Sequence, residues 1–336
     1  MKGALIVNLG SPDSTEVKDV KKYLDQFLMD KRVIDTPYLL RAFIVKGIIL
    51  NTRPKKSAEA YKKIWWDEGS PLIVLSKRLH KKVEKECEIP VELAMRYGKP
   101  SIKTGIQNLA NKGVDEILLI PLYPQFAMAT TETIEVEAAN IVKKNFPGIK
   151  IENFAAFYNK ENYIEALSKS IQTELSKNKP DHLLFSYHGV PERHIKKSDV
   201  TKSHCKIDGS CCNTPSPAHE FCYRHQCYET TKLVAKKLNL LPEFYTTSFQ
   251  SRLGRDPWLQ PYTDKTIDDY AINGVKNLAV ITPAFVSDCL ETLEEIGMEA
   301  KESFIENGGE KFKTIPCLND NNDWVKTLSS WINDWA

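Results

Sequence analysis

Residues 3–10 read GALIVNLG, a continuous apolar run that closes on an asparagine, a leucine and a glycine. A short run of branched aliphatic residues ended by a turn signal predicts a strand buried on both faces, the mark of a parallel sheet. The pattern recurs in IPVELAMRY (89–97), DEILLIPLYP (115–124) and IKIENFAAF (149–157). Between these runs lie helix-like stretches, VKDVKKYLDQFLMD (17–30), SPLIVLSKRLHKKVEKEC (70–87) and SIKTGIQNLANKG (101–113). After KENYIEALSKSIQTELSKN (160–178) the rhythm starts again, with DHLLFSYHG (181–189), EFYTTSFQ (243–250), KNLAVITPAFV (276–286) and FKTIPC (312–317).

Strands alternating with helices predict an α/β protein. Four strands in each half predict two similar Rossmann-like domains, each a four-stranded parallel sheet flanked by helices. The domains are set at 1–160 and 161–336, and NDWVKTLSSWINDWA (322–336) forms a helix closing back across both. Ligands of such folds bind beyond the carboxyl ends of the strands. That rule selects Asn8, Arg96, Tyr97 and Tyr123 in one half, and His188 and the segment after Pro283 in the other.

The 336 residues carry a net charge of only +2, so phosphate neutralisation on nucleic acid is not indicated. Neither a G-x-G-x-x-G spacing nor a Walker A sequence occurs, so a nucleotide cofactor is not supported. No run reaches membrane-spanning length. The nearest, YLLRAFIVKGIIL (38–50), is interrupted by Arg41 and Lys46 and reads as a core helix or a surface-seeking amphipathic segment. The N-terminus lacks the form of an export signal, so a reducing, cytoplasmic setting is expected and structural disulfides are not.

His188, at the end of an apolar strand and before a glycine, has a pKa suited to accepting protons near neutrality, or it caps a turn. Glu291, Glu295 and Glu299 recur at every fourth position after the strand 276–286. They form either a carboxylate ridge able to pass protons or hold divalent ions, or a solvated helix face. The loop QSRLGRDPWLQPYTD (250–264), with Trp258, is too rigid and aromatic for a linker. Aromatic and apolar residues around His and Glu suggest a flat, apolar ligand with a polar centre.

Together the chain resembles the ferrochelatases, through LIVNLGSPDS, YLDQFLMDKRVID, GSPL (69–72), MRYGKPSI (95–102), PLYPQ, SYHGVP, QSRLGRDPWLQP and VSDCLETLEEI. The resemblance implies insertion of ferrous iron into a porphyrin, protoporphyrin IX being favoured over coproporphyrin, with the macrocycle between the two domains. It implies that His188 is essential, as proton acceptor or metal ligand, and that Glu291 faces it across the ring. Glu295 and Glu299 resemble the ridge that leads metal or protons to and from the site. Leu9, Arg96, Tyr97, Tyr123 and Trp258 match residues around the macrocycle. Cys289 stands where some members carry a second histidine, and Leu9 where animal enzymes carry methionine. The segment 38–50 matches a lip that rests on a membrane, so peripheral contact at the inner membrane face is expected, for a monomer or a homodimer. A non-catalytic tetrapyrrole-binding iron or redox sensor is the alternative, against which the intact His188 and Glu291 speak. A cobalt–sirohydrochlorin chelatase is a third reading, against which the two-domain length and the porphyrin-pocket residues speak.

Five of the eight cysteines fall in an insertion at about 200–228, spaced C-x5-C-C-x9-C-x4-C. The paired C-x2-C units of zinc ribbons are absent. The spacing alone is not diagnostic. The resemblance implies a 2Fe–2S cluster on Cys205, Cys212, Cys222 and Cys227, with Cys211 the replaceable fifth thiol.

Overall fold

The computed structural model describes residues 1–252, 254 and 256–336. Strands β1 (Lys2–Asn8), β2 (Val91–Met95), β3 (Glu116–Pro121) and β4 (Lys150–Asn153) form a parallel sheet in the order β2-β1-β3-β4. Strands β5 (His182–His188), β6 (Tyr245–Gln250), β7 (Asn277–Ile281) and β8 (Lys311–Thr314) repeat it in the order β6-β5-β7-β8. Helices cover the faces of both sheets, as the strand–helix alternation predicts.

The opening run shows why β1 is central. Ala4, Leu5, Ile6 and Val7 are all inaccessible to solvent. Successive side chains point to opposite faces, so Ala4 and Ile6 join the core shared with the second half. Leu5 and Val7 instead pack among Ile102, Ile106, Ile134 and Ala138 of two covering helices. Each such aliphatic side chain contributes roughly 1.5–3 kcal/mol by burial. The closing helix Asn322–Trp335 packs on the helices Pro71–Glu86 and Glu161–Asn178, one from each half. Trp324 stacks on Phe157 at 5.6 Å between centroids and Trp331 on Phe154 at 5.0 Å.

In each sheet the first strand connects to one edge, and the chain then crosses to the opposite side. A crevice therefore opens at the carboxyl ends of β1 and β3, and of β5 and β7. The two crevices face a common cleft.

Several elements differ from expectation. The run 149–157 is strand only over β4, an edge strand bonded to β3 alone, because Phe154 and Phe157 turn away into the tryptophan cluster. The segment 38–50 is two-sided rather than wholly core: Val45 and Leu50 are buried in the core of the first half, but the other face is not. Tyr38, Leu39, Leu40, Phe43 and Ile48 are exposed, Leu39 by 81%, while Arg41 is buried and donates from Nη1 to the carbonyls of Ile34 and Thr36. Burying the cation where carbonyls can receive it turns the apolar side chains outward. Within the motif QSRLGRDPWLQP, Leu253 and Arg255 lie outside the described residues.

Candidate active site

A cleft opens between the halves. Its lining includes Asn8, Leu9 and Gly10 after β1, Leu122 and Tyr123 after β3, and Phe285, Cys289, Leu290 and Glu291 after β7. Tyr23 and Tyr61 close it from the helical excursion of the first half. Gly10 is obligatory at this turn. Its φ is +109°, and a Cβ there would sit 1.8 Å from the Tyr97 carbonyl oxygen. Burial pushes the hydroxyls of Tyr23, Tyr61 and Tyr123 well above their ordinary range, so all are neutral. Burial does the same to the Cys289 thiol. The tyrosine and cysteine side chains of the wall are therefore uncharged, and among the described lining residues Glu291 is the one carboxylate.

His188 ends β5 and is half-buried. Its Nδ1 lies 2.7 Å from the Gly189 carbonyl oxygen, and its ring is 6.3 Å from that of Phe285. A carbonyl only accepts, so Nδ1 carries the proton and the lone pair is left on Nε2. Trp258 packs beside it: a Cβ on Gly189 would meet the Trp258 ring at 3.3 Å, and a short bridge joins Trp258 to Pro191.

The acidic segment Glu291–Ala300 is wound as a π-helix, the wide turn often found at functional sites. Its carboxylates grade from cleft to solvent. Glu291 lines the cleft, Glu295 is half-buried, and Glu299 is exposed. Burial raises the Glu295 carboxyl above its ordinary range, and Ser251 and His188 partly oppose that shift. Ser251 Oγ lies 2.6 and 2.8 Å from the two Glu295 oxygens. Gln250 donates from Nε2 to the Glu291 carbonyl at 3.2 Å and accepts from Ser186 Oγ at 2.8 Å. Thus β5, β6 and the π-helix share one hydrogen-bond network around His188. Glu294, off this line, pairs with Lys63 of the first half at 2.6 Å.

Leu9, Tyr123 and Glu291 line the cleft, whereas Arg96 and Tyr97 stand behind its wall. Arg96 donates from Nη2 to Asp30 Oδ2 at 2.6 Å and from Nε to Thr133 Oγ1 at 2.8 Å. Tyr97 and Thr133 donate to the same Asp30 oxygen, at 3.1 and 2.5 Å. Burial opposes ionisation of Asp30, but these hydrogen bonds and the Arg96 charge outweigh it and lower the carboxyl's pKa. Asp30, Gln250 and Ser251 were not selected from the sequence. All lie inside quoted motifs, yet only the contacts give them a task.

In the cysteine-rich insertion all thiols are free, with Cys205 half-buried and Cys211, Cys212, Cys222 and Cys227 buried. The Arg224 guanidinium enters among them, donating from Nε to Cys212 Sγ at 3.2 Å and from Nη2 to Cys211 Sγ at 3.5 Å. Burial nevertheless dominates: Cys205 is pushed up to about 12 and Cys212 to about 11, against the lowering by Arg224. The donors suit a thiolate-bound group in kind and number, with a cation beside them. Among the described residues no group of three or more His, Cys, Asp or Glu side chains is arranged to hold a metal ion. Arg224 engages both adjacent thiols, Cys212 at 3.2 Å and Cys211 at 3.5 Å.

Comparison with known proteins agrees with this architecture. Two solved structures share the fold: SirB from Bacillus subtilis with Fe3+, with a TM-score of 0.53 at 10% identity over 99% of this chain and 94% of that one, and the sirohydrochlorin chelatase SirB of Bacillus subtilis subspecies spizizenii in complex with cobalt, at 0.52 and 12% over the same shares. The protein named Ferrochelatase from Ectopseudomonas mendocina is 50% identical over 326 residues, 96% of this chain and 95% of its own. That of Opitutus terrae is 45% identical over 337 residues, 99% of this chain and 97% of its own. The family model described as Ferrochelatase matches residues 1–335, and the chain belongs to the ferrochelatase family.

Proposed function

We propose that the cleft inserts ferrous iron into a porphyrin, protoporphyrin IX in the first place, giving haem and releasing two protons, which makes the enzyme a lyase. The observation that carries this reading is the cleft itself, whose described lining is uncharged but for one carboxylate, Glu291, at the head of a ridge that runs to solvent. Metal insertion replaces two pyrrole N–H protons with one divalent ion, so the site needs a base and an exit path. His188, with its lone pair on Nε2, takes the first role or ligates the entering metal. Glu291, Glu295 and Glu299 accept protons, or hold iron, from the cleft outward to the exposed Glu299. The apolar wall, with Leu9, Tyr123 and Trp258, binds the macrocycle face and bends it, drawing on binding energy away from the reacting centre. Arg96 and Tyr97 support the wall through Asp30.

Three further assignments belong to this reading. The exposed ridge Tyr38, Leu39, Leu40, Phe43 and Ile48 rests on the cytoplasmic membrane face, where an apolar product can be handed over. Cys205, Cys212, Cys222 and Cys227 would supply the thiolates of a 2Fe–2S cluster, which adds an inorganic redox centre that metal insertion does not use. The chain divides at about residue 160.

The test is anaerobic incubation of purified protein with ferrous iron and protoporphyrin or coproporphyrin, following haem in the visible. Wild type is expected to form haem, and His188→Ala and Glu291→Gln to lose at least a hundredfold in kcat, as a general acid–base contribution implies. Haem formation by His188→Ala at the wild-type rate would remove the role given to that residue.

A further inference from the structure

His188 does not hold its own position. The peptide unit joining it to Gly189 is gripped at both ends. The Gly189 N–H donates to the Gln250 carbonyl at 2.6 Å, and the His188 carbonyl accepts from the Tyr223 hydroxyl at 2.8 Å. That unit fixes the position of Gly189, whose own carbonyl, in the next peptide, lies 2.7 Å from His188 Nδ1 and receives its proton. No side chain fits at Gly189, since a Cβ there would lie 2.9 Å from the Ser251 carbonyl oxygen and 3.0 Å from that of Gln250.

Tyr223 is a buried side chain 35 residues further on, the first residue of the helix Tyr223–Lys237, with Cys222 as the preceding cap. Its helix is anchored to the other half of the molecule. Gln226 accepts from the Phe126 N–H at 2.7 Å, and Thr230 accepts from Gln125 Nε2 at 3.0 Å, both just beyond Tyr123 at the end of β3. One helix, starting where the cysteine-rich insertion ends, therefore touches the His188 backbone at its first turn and the opposite wall of the cleft at its second and third.

We propose that Tyr223 is the positioning residue of His188. Its hydroxyl fixes the 188–189 peptide, holds the imidazole with the proton on Nδ1 and the lone pair on Nε2, and makes the insertion–helix junction part of the active-site frame. The inference rests on the reading of His188 as base or ligand. A core tyrosine kept for packing would need only its ring, and the ring is retained in phenylalanine. The hydroxyl serves the carbonyl it donates to and also lies against the Cys227 thiol.

The test compares full-length wild type, Tyr223→Phe and His188→Ala. Tyr223→Phe leaves a buried carbonyl without this donor, which corresponds to on the order of a tenfold loss in kcat. KM for porphyrin and for iron should stay near wild type, because the cleft wall is untouched. In protein carrying isotope-labelled histidine, nitrogen NMR should show one tautomer of His188 in wild type and a mixture in Tyr223→Phe. Wild-type kcat and an unchanged tautomer in Tyr223→Phe would overturn the inference. So would a lowered melting temperature with the tautomer unchanged, since the hydroxyl would then serve packing alone. Full activity in His188→Ala would instead overturn the catalytic reading, and the tautomer comparison would still decide whether Tyr223 orients the ring.

Discussion

Asp30→Asn tests the support behind the cleft wall. The Asp30 and Arg96 side chains are 7% and 15% exposed, and one carboxylate oxygen of Asp30 receives Arg96, Tyr97 and Thr133. The other accepts from the Arg32 N–H at 2.8 Å. Asparagine keeps the shape, removes the charge and leaves Arg96 without its close counter-ion. Breaking a buried pair from one side costs about 3 kcal/mol. At about 2.1 cal/mol/K per residue, unfolding of a chain this size carries an entropy of roughly 0.7 kcal/mol/K, so the melting temperature should fall by about 4 °C. The sign with pH follows from the lowered carboxyl of Asp30. Its stabilisation is fully present above the unfolded value of about 4 and is lost as pH falls through the lower folded value. The deficit of Asp30→Asn should therefore be full at pH 7 and shrink in strongly acidic buffer. Arg96→Met combined with Asp30→Asn should recover part of it, because removing both charges leaves neither stranded. Thermal melts by circular dichroism across pH read all of this. A deficit of equal size in acid and at pH 7, or none at pH 7, would refute the assignment of a charge-based support.

Four more outcomes are expected. Glu295→Gln should lower insertion activity yet raise the melting temperature at pH 8 by about 1–2 °C. The raised carboxyl of Glu295 costs stability as pH climbs through its folded value, so the gain should vanish near pH 4, as melts of the two proteins at both pH values would show. Gly10→Ala places a methyl against the Tyr97 carbonyl and demands a left-handed backbone, so it should cost 3 kcal/mol or more, read as loss of soluble folded protein or a large drop in melting temperature. Replacing Leu39, Phe43 and Ile48 by serine should abolish co-sedimentation with anionic vesicles while leaving the melting temperature within a degree. Cys222→Ser should lose the visible absorption and bound iron of anaerobically prepared protein, and unchanged spectra would remove Cys222 from the ligand set.

Much of the fold was legible because the signals are local. A fully buried parallel strand must be apolar at every position, as Ala4–Val7 and Leu183–Phe185 are, and a covering helix must be apolar on one stripe. The placement of His188 and Glu291 followed from a rule about strand ends rather than from any contact. What was not legible concerns partners and faces. Leu39 and Phe43 look like core residues in a periodic segment, and only the burial of Arg41 shows which side faces out. The cysteine spacing names five candidate thiols, but only the folded arrangement shows the Arg224 guanidinium entering among them.

The chain order of apolar runs, turn glycines and polar strand ends by itself determined two sheets of the same kind with functional side chains at their carboxyl ends. Only the tertiary structure decided that Asp30 holds Arg96 and Tyr97, that Ser251 holds Glu295 and that Tyr223 holds His188. These partners lie 66, 67, 44 and 35 residues apart. Hydrophobic periodicity reports the environment of a residue within a turn or a strand. A hydrogen bond between distant segments depends on how packed elements dock, and no local pattern encodes that.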